Sequence, residues 1–241
     1  MRAKYNSLKY SLYITDVDGV LVNSYSCLFD AYSEVARKLG LKENSIDKFV
    51  NIAIRMEDLA DAEGNYDRST WWPSLFSQFG LNINKDALME AILYFWRLRS
   101  INSEVLPYVY DILKFLKQCG LSLVILAGND GVKGLKQKRI ENLGLESYFD
   151  DILIVGDNVV DRQTAIRYLS QKYGVGYSEM IFVDDKPAPI REVENFDGIL
   201  TIRVKYKGPL RLAWEGECGS AYEVESTEEL YFLLKKILNC E

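Results

Sequence analysis

The 241-residue sequence contains no histidine, only four cysteines and only five prolines. Without histidine, neither a Ser-His-Asp nor a Cys-His nucleophile system is available, because each needs the imidazole as its base. A catalytic zinc site of the usual kind is excluded too, since those ligand sets contain histidine. The cysteines, Cys27, Cys119, Cys218 and Cys240, form no C-x-x-C pair. Their isolation predicts reduced thiols in a cytoplasmic protein rather than a disulfide framework. No run approaches the roughly 20 apolar residues of a membrane span. The N-terminus carries Arg2, Lys4 and Lys9, but Asp16 and Asp18 interrupt the only candidate apolar core of a signal peptide. Basic residues are also in deficit, 29 Lys+Arg against 35 Asp+Glu. That balance argues against nucleic acid or an anionic membrane as partner. What is left for catalysis near neutral pH is carboxylates, Lys, Tyr, Cys or a hard metal ion.

What is present is an ordinary globular composition, 48% apolar and 27% charged. Five short apolar runs predict buried strands: 10–15, 121–127, 151–155, 180–184 and 199–204. Their near-continuous Leu, Ile, Val and Phe are what parallel strands covered on both faces require. Helical patterns alternate with the later strands. Pro107 opens one, with Ile112, Leu113 and Leu116 on a single face. Ser226 and Glu229 have capping-box spacing ahead of Leu230, Leu233, Leu234 and Ile237. This alternation predicts an α/β fold with a doubly wound, Rossmann-like parallel sheet. Residues 24–104 differ, showing helical periodicity at Leu28, Tyr32, Val35 and Leu39 and again at Leu88, Ile92 and Phe95. They read as a helical insertion, residues 24–104, into an α/β core made of residues 1–23 and 105–241.

Ligands of open α/β sheets collect beyond the carboxyl ends of the strands. After the first strand stands Asp16-Val17-Asp18-Gly19, two carboxylates with extended-chain spacing toward one side. Gly128-Asn129-Asp130-Gly131 follows the second strand and leads into a helix whose first amides are able to hold an anion. Asp184-Asp185-Lys186 ends the fourth. Such a convergence of aspartates suits Mg²⁺.

These strand-end groups resemble the haloacid dehalogenase superfamily of phosphohydrolases over almost the whole chain. Asp16 to Gly19 looks like the first motif, Gly128-Asn129 occupies the second, Arg162 falls at the spacing of the third, and Asp184-Asp185 matches the fourth. A helical insertion after the first motif is similar to the caps of the C1 members. The resemblance implies a Mg²⁺-dependent phosphatase acting on a small phosphorylated metabolite. Asp16 would be the nucleophile that forms an aspartyl-phosphate, and Asp18 the acid and then the base. Gly128, Asn129 and Arg162 would bind the phosphoryl group, and Asp16, Asp18 (through its carbonyl), Asp184 and Asp185 would hold the ion. Two alternatives stay open: a phosphomutase of the same capped type, or a catalytically weak phosphate- and metal-binding regulatory protein. The second is motivated by Gly128, where the family expects a hydroxyl; a lost bond to a charged group costs about 1.5–3 kcal/mol.

Other polar residues have plainer readings. Lys133, Lys136, Lys138 and Arg139 form a solvated helix face, with Lys133 the one rival to Arg162 as phosphate-binding cation. Arg55, Arg97, Arg99, Trp71 and Trp72 read as cap packing and surface rather than substrate contacts.

Overall fold

The computed structural model describes residues 9–240; residues 1–8, Arg2 and Lys4 among them, and Glu241 lie outside the described residues. The chain enters through β1 (Leu12–Thr15) and the two-residue β2 (Val22–Asn23). Four helices follow: α1 (Leu28–Lys38), α2 (Glu43–Ala62), α3 (Arg68–Ser77) and α4 (Lys85–Asn102). After β3 (Glu104–Val105), strands and helices alternate: α5 (Val109–Gln118), β4 (Ser122–Gly128), α6 (Leu135–Asn142), β5 (Asp151–Val155), α7 (Arg162–Tyr173), β6 (Met180–Asp184) and α8 (Pro187–Val193). The chain closes with β7 (Leu200–Val204), β8 (Tyr222–Val224) and α9 (Thr227–Leu238).

Six strands form one parallel sheet in the order β5-β4-β1-β6-β7-β8. Alternate side chains serve opposite faces. Leu12, Ile14, Val124, Leu126, Met180 and Phe182 pack under α7 and α8, while Tyr13, Leu123, Ile125, Ile181 and Val183 pack under α5 and α9. Both faces are therefore covered, and the continuous apolar runs follow from that. The architecture is α/β, doubly wound and Rossmann-like. β1 lies between β4 and β6, where the strand order reverses, so the carboxyl ends of these three strands flank one crevice.

The five expected strands are all present within two residues of the expected bounds. β8 is an addition: two of its three residues are exposed, and no apolar run marks it. Helix ends follow local chemistry. Ser226 Oγ accepts from the Glu229 amide at 3.2 Å, and Asp161 caps α7 through the Thr164 amide at 2.6 Å.

The helices α1–α4 enclose a second apolar cluster centred on Tyr32, Phe49, Trp72, Phe76 and Phe95. Its chain leaves and rejoins the core side by side, because β2 pairs antiparallel with β3. Leu210 and Trp214, from the segment between β7 and β8, are buried in the same cluster. Among the described residues, no helix is long and apolar enough to cross a membrane.

One reading is corrected. Cys119, at the end of α5, and Cys240, just beyond α9, form a disulfide with Cα atoms 5.7 Å apart. They stand 121 residues apart in sequence, but α5 and α9 lie together on one sheet face. Cys27 and Cys218 are free. The case for a reducing, cytoplasmic compartment loses the support of four isolated thiols.

Candidate active site

β1 delivers Asp16 to the crevice, its amide donating to the Val183 carbonyl at 2.9 Å. The chain then turns sharply: the Leu21 and Val22 amides return to the Val17 carbonyl at 2.8 and 3.0 Å. Gly19 is required here, because it adopts φ +82° and a Cβ would lie 2.1 Å from Asp185 Oδ2. Asp184 and Asp185 leave the adjacent end of β6. One carboxylate oxygen each from Asp16, Asp184 and Asp185 lies within 4.8 Å of the others.

The oxygens in this cluster divide into held and free. Asp184 Oδ1 accepts from the Lys186 amide at 2.9 Å, and Asp185 Oδ2 accepts from the Trp214 indole at 2.6 Å. Asp184 Oδ2 and Asp185 Oδ1 are buried without a partner. Orphaned anionic oxygens facing a third carboxylate are a poor arrangement unless a cation joins them, so this donor set fits a hard ion such as Mg²⁺. Without the ion, burial and then Asp184 push the Asp16 carboxyl up to about 7 against the opposing pull of Lys136 and Arg162. Burial also raises Asp184, and burial with Asp184 raises Asp185 well above the usual range.

Asp18 lines the same cavity but is held by cations. Its carboxylate meets Lys136 and also Arg139, the latter at 2.6 Å. The same two cations hold Asp130, at 2.9 and 2.8 Å. All four side chains are buried. Burial alone would raise Asp18, but Arg139 and Lys136 outweigh it and hold the carboxyl well below the usual range. This corrects the reading of α6 as a solvated cationic face: Lys133 and Lys138 are exposed, whereas Lys136 and Arg139 turn inward. Their i, i+3 spacing puts both on one side of the helix. Lys133 is absent from the cavity lining, while Arg162 and Lys136 are both present.

Arg162 stands at the first turn of α7, 3.7 Å from Glu192, with its charge sustained by Asp184 and Asp16 despite burial. Asn129 closes a local turn, its Oδ1 accepting from the Gly131 amide at 3.1 Å. A Cβ on Gly128 would meet Tyr66 Cε2 at 3.6 Å and Arg162 Nη2 at 4.0 Å, both ordinary contacts. Gly131 is tighter: at φ +76°, a Cβ would lie 2.3 Å from the Tyr66 carbonyl, so this glycine admits the loop before α3.

The helical layer supplies the roof of the cavity with Glu57, Asp61, Arg68 and Trp96, which sequence reasoning missed, and with Arg99, which is buried in the cavity lining rather than being only packing or surface. Glu57 accepts from Tyr32 and Arg68 and lies 3.5 Å from Arg99. Arg99 donates twice to the Ser24 carbonyl, at 3.1 and 2.9 Å. Asp61 pairs with Lys186 at 3.1 Å. Trp96 is ringed by the guanidiniums of Arg68, Arg99 and Arg139 at 4.5, 4.6 and 4.7 Å. Arg55 and Arg97 are exposed, and Trp72 is core packing, as expected. The remaining cavity is small, about 50 Å³, and lined mainly by charged and polar residues, with Trp96 and Pro189 among them.

The family model described as haloacid dehalogenase-like hydrolase matches residues 10–192, from the start of β1 into α8. The chain belongs to this family. Among solved structures, this haloacid dehalogenase-like hydrolase is similar to a provisionally named β-phosphoglucomutase from Thermotoga maritima, at 19% identity and TM-score 0.71, covering 95% of this chain and 100% of that one. A predicted phosphoglycolate phosphatase from Haemophilus somnus aligns at 17% identity and TM-score 0.67, covering 95% and 99%. The L-2-haloacid dehalogenase from Xanthobacter autotrophicus aligns at 16% identity and TM-score 0.64, covering 94% and 98%. These likenesses establish a shared fold. No curated protein matches in sequence.

Proposed function

We propose that this haloacid dehalogenase-like hydrolase is a Mg²⁺-dependent phosphatase for a small phosphorylated metabolite, with residues 24–104 as the cap over its site. The observation that carries the reading is the meeting of Asp16 with Asp184 and Asp185 beneath Arg162 and Lys136. Asp16 attacks phosphorus, forming a carboxylate–phosphorus bond as the bond to the leaving oxygen breaks. Asp18 protonates that oxygen, then takes a proton from the water that cleaves the acyl-phosphate. Arg162, Lys136, Asn129 and the Gly128 amide bind the phosphoryl oxygens. Asp16, Asp184, Asp185 and the Asp18 carbonyl would hold Mg²⁺, which supplies charge neutralisation so that an anionic nucleophile is able to approach an anionic phosphate. Asp18 also argues for phosphoryl transfer over dehalogenation, because halide departure needs no acid.

The clamped state of Asp18 adds a condition. A carboxyl held ionised by two cations is a poor acid, so Asp18 acts only after Lys136 and Arg139 loosen their hold. A bound phosphoryl dianion competes for those charges, and the released Asp18 carboxylate takes up a proton from solvent before it serves as the acid. The same clamp favours a second reading, a phosphate- and metal-binding protein with weak turnover.

One assay separates the two. Hydrolysis of p-nitrophenyl phosphate and acetyl phosphate is measured with Mg²⁺, with EDTA, and for Asp16→Asn. The phosphatase reading expects turnover that both EDTA and the substitution abolish. Equal, negligible rates for wild type and Asp16→Asn on these compounds and a metabolite panel would sink it. Release of free phosphate, rather than its reappearance on another hydroxyl, excludes a mutase.

A further inference from the structure

The segment between β7 and β8 leaves the sheet, crosses above the acidic cluster and docks on α2. The Arg211 and Leu212 amides donate to Asp58 Oδ1 at 2.7 and 2.8 Å. Arg203, on β7, anchors the far end by donating to the Trp214 and Gly216 carbonyls at 2.5 and 3.2 Å. This strap is thus fixed to the sheet at one end and to a cap helix at the other.

Trp214 is the point where the strap meets the site. Its ring stacks on Tyr206 at 4.1 Å and stands edge-on to Tyr25 at 5.3 Å. The Lys186 ammonium lies 4.5 Å from the same ring while pairing with Asp61 on α2. Its indole N–H donates to Asp185 Oδ2, the oxygen that also packs on Gly19. Asp185 Oδ2 is therefore enclosed on two sides, and Oδ1 is the oxygen left free. A carboxylate pinned through one oxygen presents the other in a fixed direction. Partners that orient a metal ligand in this way typically govern about 10–100-fold in metal affinity.

We propose that Trp214 is a positioning residue for Asp185, and that the strap makes metal affinity depend on how α2 is seated. This rests on the reading of Asp16, Asp184 and Asp185 as the Mg²⁺ site. Trp214→Phe keeps an aromatic ring against Tyr206 but removes the N–H. Asp58→Ala removes the strap's two hydrogen bonds to α2 and alters neither Trp214 nor any of the three carboxylates.

The test is calorimetric titration of EDTA-stripped, full-length protein with Mg²⁺, alongside melting temperatures recorded in EDTA. The expected result for Trp214→Phe is a Kd weakened by about 10–100-fold at a near-unchanged metal-free melting temperature. Asp58→Ala is expected to weaken Mg²⁺ binding in the same direction by a smaller factor. Wild-type affinity in Trp214→Phe overturns the positioning role. If Trp214→Phe does not fold, Asp58→Ala decides: weakened affinity supports the coupling and wild-type affinity overturns it. Should wild type bind no Mg²⁺, or Asp185→Asn bind as tightly as wild type, the metal-site reading falls and this inference with it. Wild-type binding that Asp185→Asn abolishes and Trp214→Phe leaves intact overturns the inference alone.

Discussion

At the scale of single residues, Gly128 gives the sharpest contrast between what is absent and what is permitted. The position lacks a hydroxyl, yet a Cβ there would make only ordinary contacts with Tyr66 and Arg162. Gly128→Ser is therefore expected to fold normally and to place a donor beside the phosphoryl oxygens. A bond to a charged group is worth about 1.5–3 kcal/mol, so kcat/KM on acetyl phosphate should rise by about tenfold or more. A rate no higher than wild type would mean that another group already serves that oxygen. The strand-end residues were legible because their spacing is local: Asp16, Asp18, Asp184 and Asp185 follow apolar runs directly. Trp214 and Glu57 were not, since each reaches the site from a distant segment and carries no motif.

Among the elements, α6 is the one whose sequence misleads. Four cations in seven residues look like a solvated face, but the helix is laid across the end of β1 with Lys136 and Arg139 underneath. Burial of a charge depends on which acids meet it in the folded state, and Asp18 and Asp130 come from two other strand ends. Removing one member of such a buried set leaves charge uncompensated. Arg139→Met is expected to destabilise the protein by about 3–5 kcal/mol, whereas Lys138→Met, on the exposed side, should stay within about 0.5 kcal/mol of wild type. Urea denaturation monitored by circular dichroism distinguishes these outcomes. Equal midpoints for the two variants would contradict a buried role for Arg139.

For the whole molecule, the acidic cluster sets a pH dependence. Asp16 binds its proton more tightly folded than unfolded, with its carboxyl moved from 3.8 to about 7. The stability gained is complete below the unfolded value and is lost as pH rises through about 7; Asp184 and Asp185 act in the same sense. Asp18 and Asp130 have the opposite sign, contributing above the unfolded value and losing that contribution as pH falls through their depressed folded values. In EDTA, the melting temperature should therefore fall between about pH 5 and pH 8. Mg²⁺ should raise it more at the higher pH, because the ligands must be ionised to bind. A Mg²⁺ increment that is equal at both pH values would count against the cluster as the binding site. The disulfide acts on the same scale: reducing Cys119–Cys240, or replacing Cys119 by Ser, should cost about 2–4 kcal/mol by thermal melt. Parallel strands and helical alternation made the fold legible, while the disulfide was hidden because chain spacing carries no information about which helix ends meet.

The pairing of β2 with β3 has a bearing on modularity. An excursion that leaves and returns through adjacent, hydrogen-bonded residues is the kind that recombination is able to cut out or exchange without disturbing the sheet. Here that freedom is curtailed from the opposite side, because Leu210 and Trp214 are buried among the excursion's own helices. A transplanted cap from another protein would bring a surface unmatched to these two side chains. Exchange of one would thus require exchange of both, tying together the inheritance of segments that lie more than a hundred residues apart.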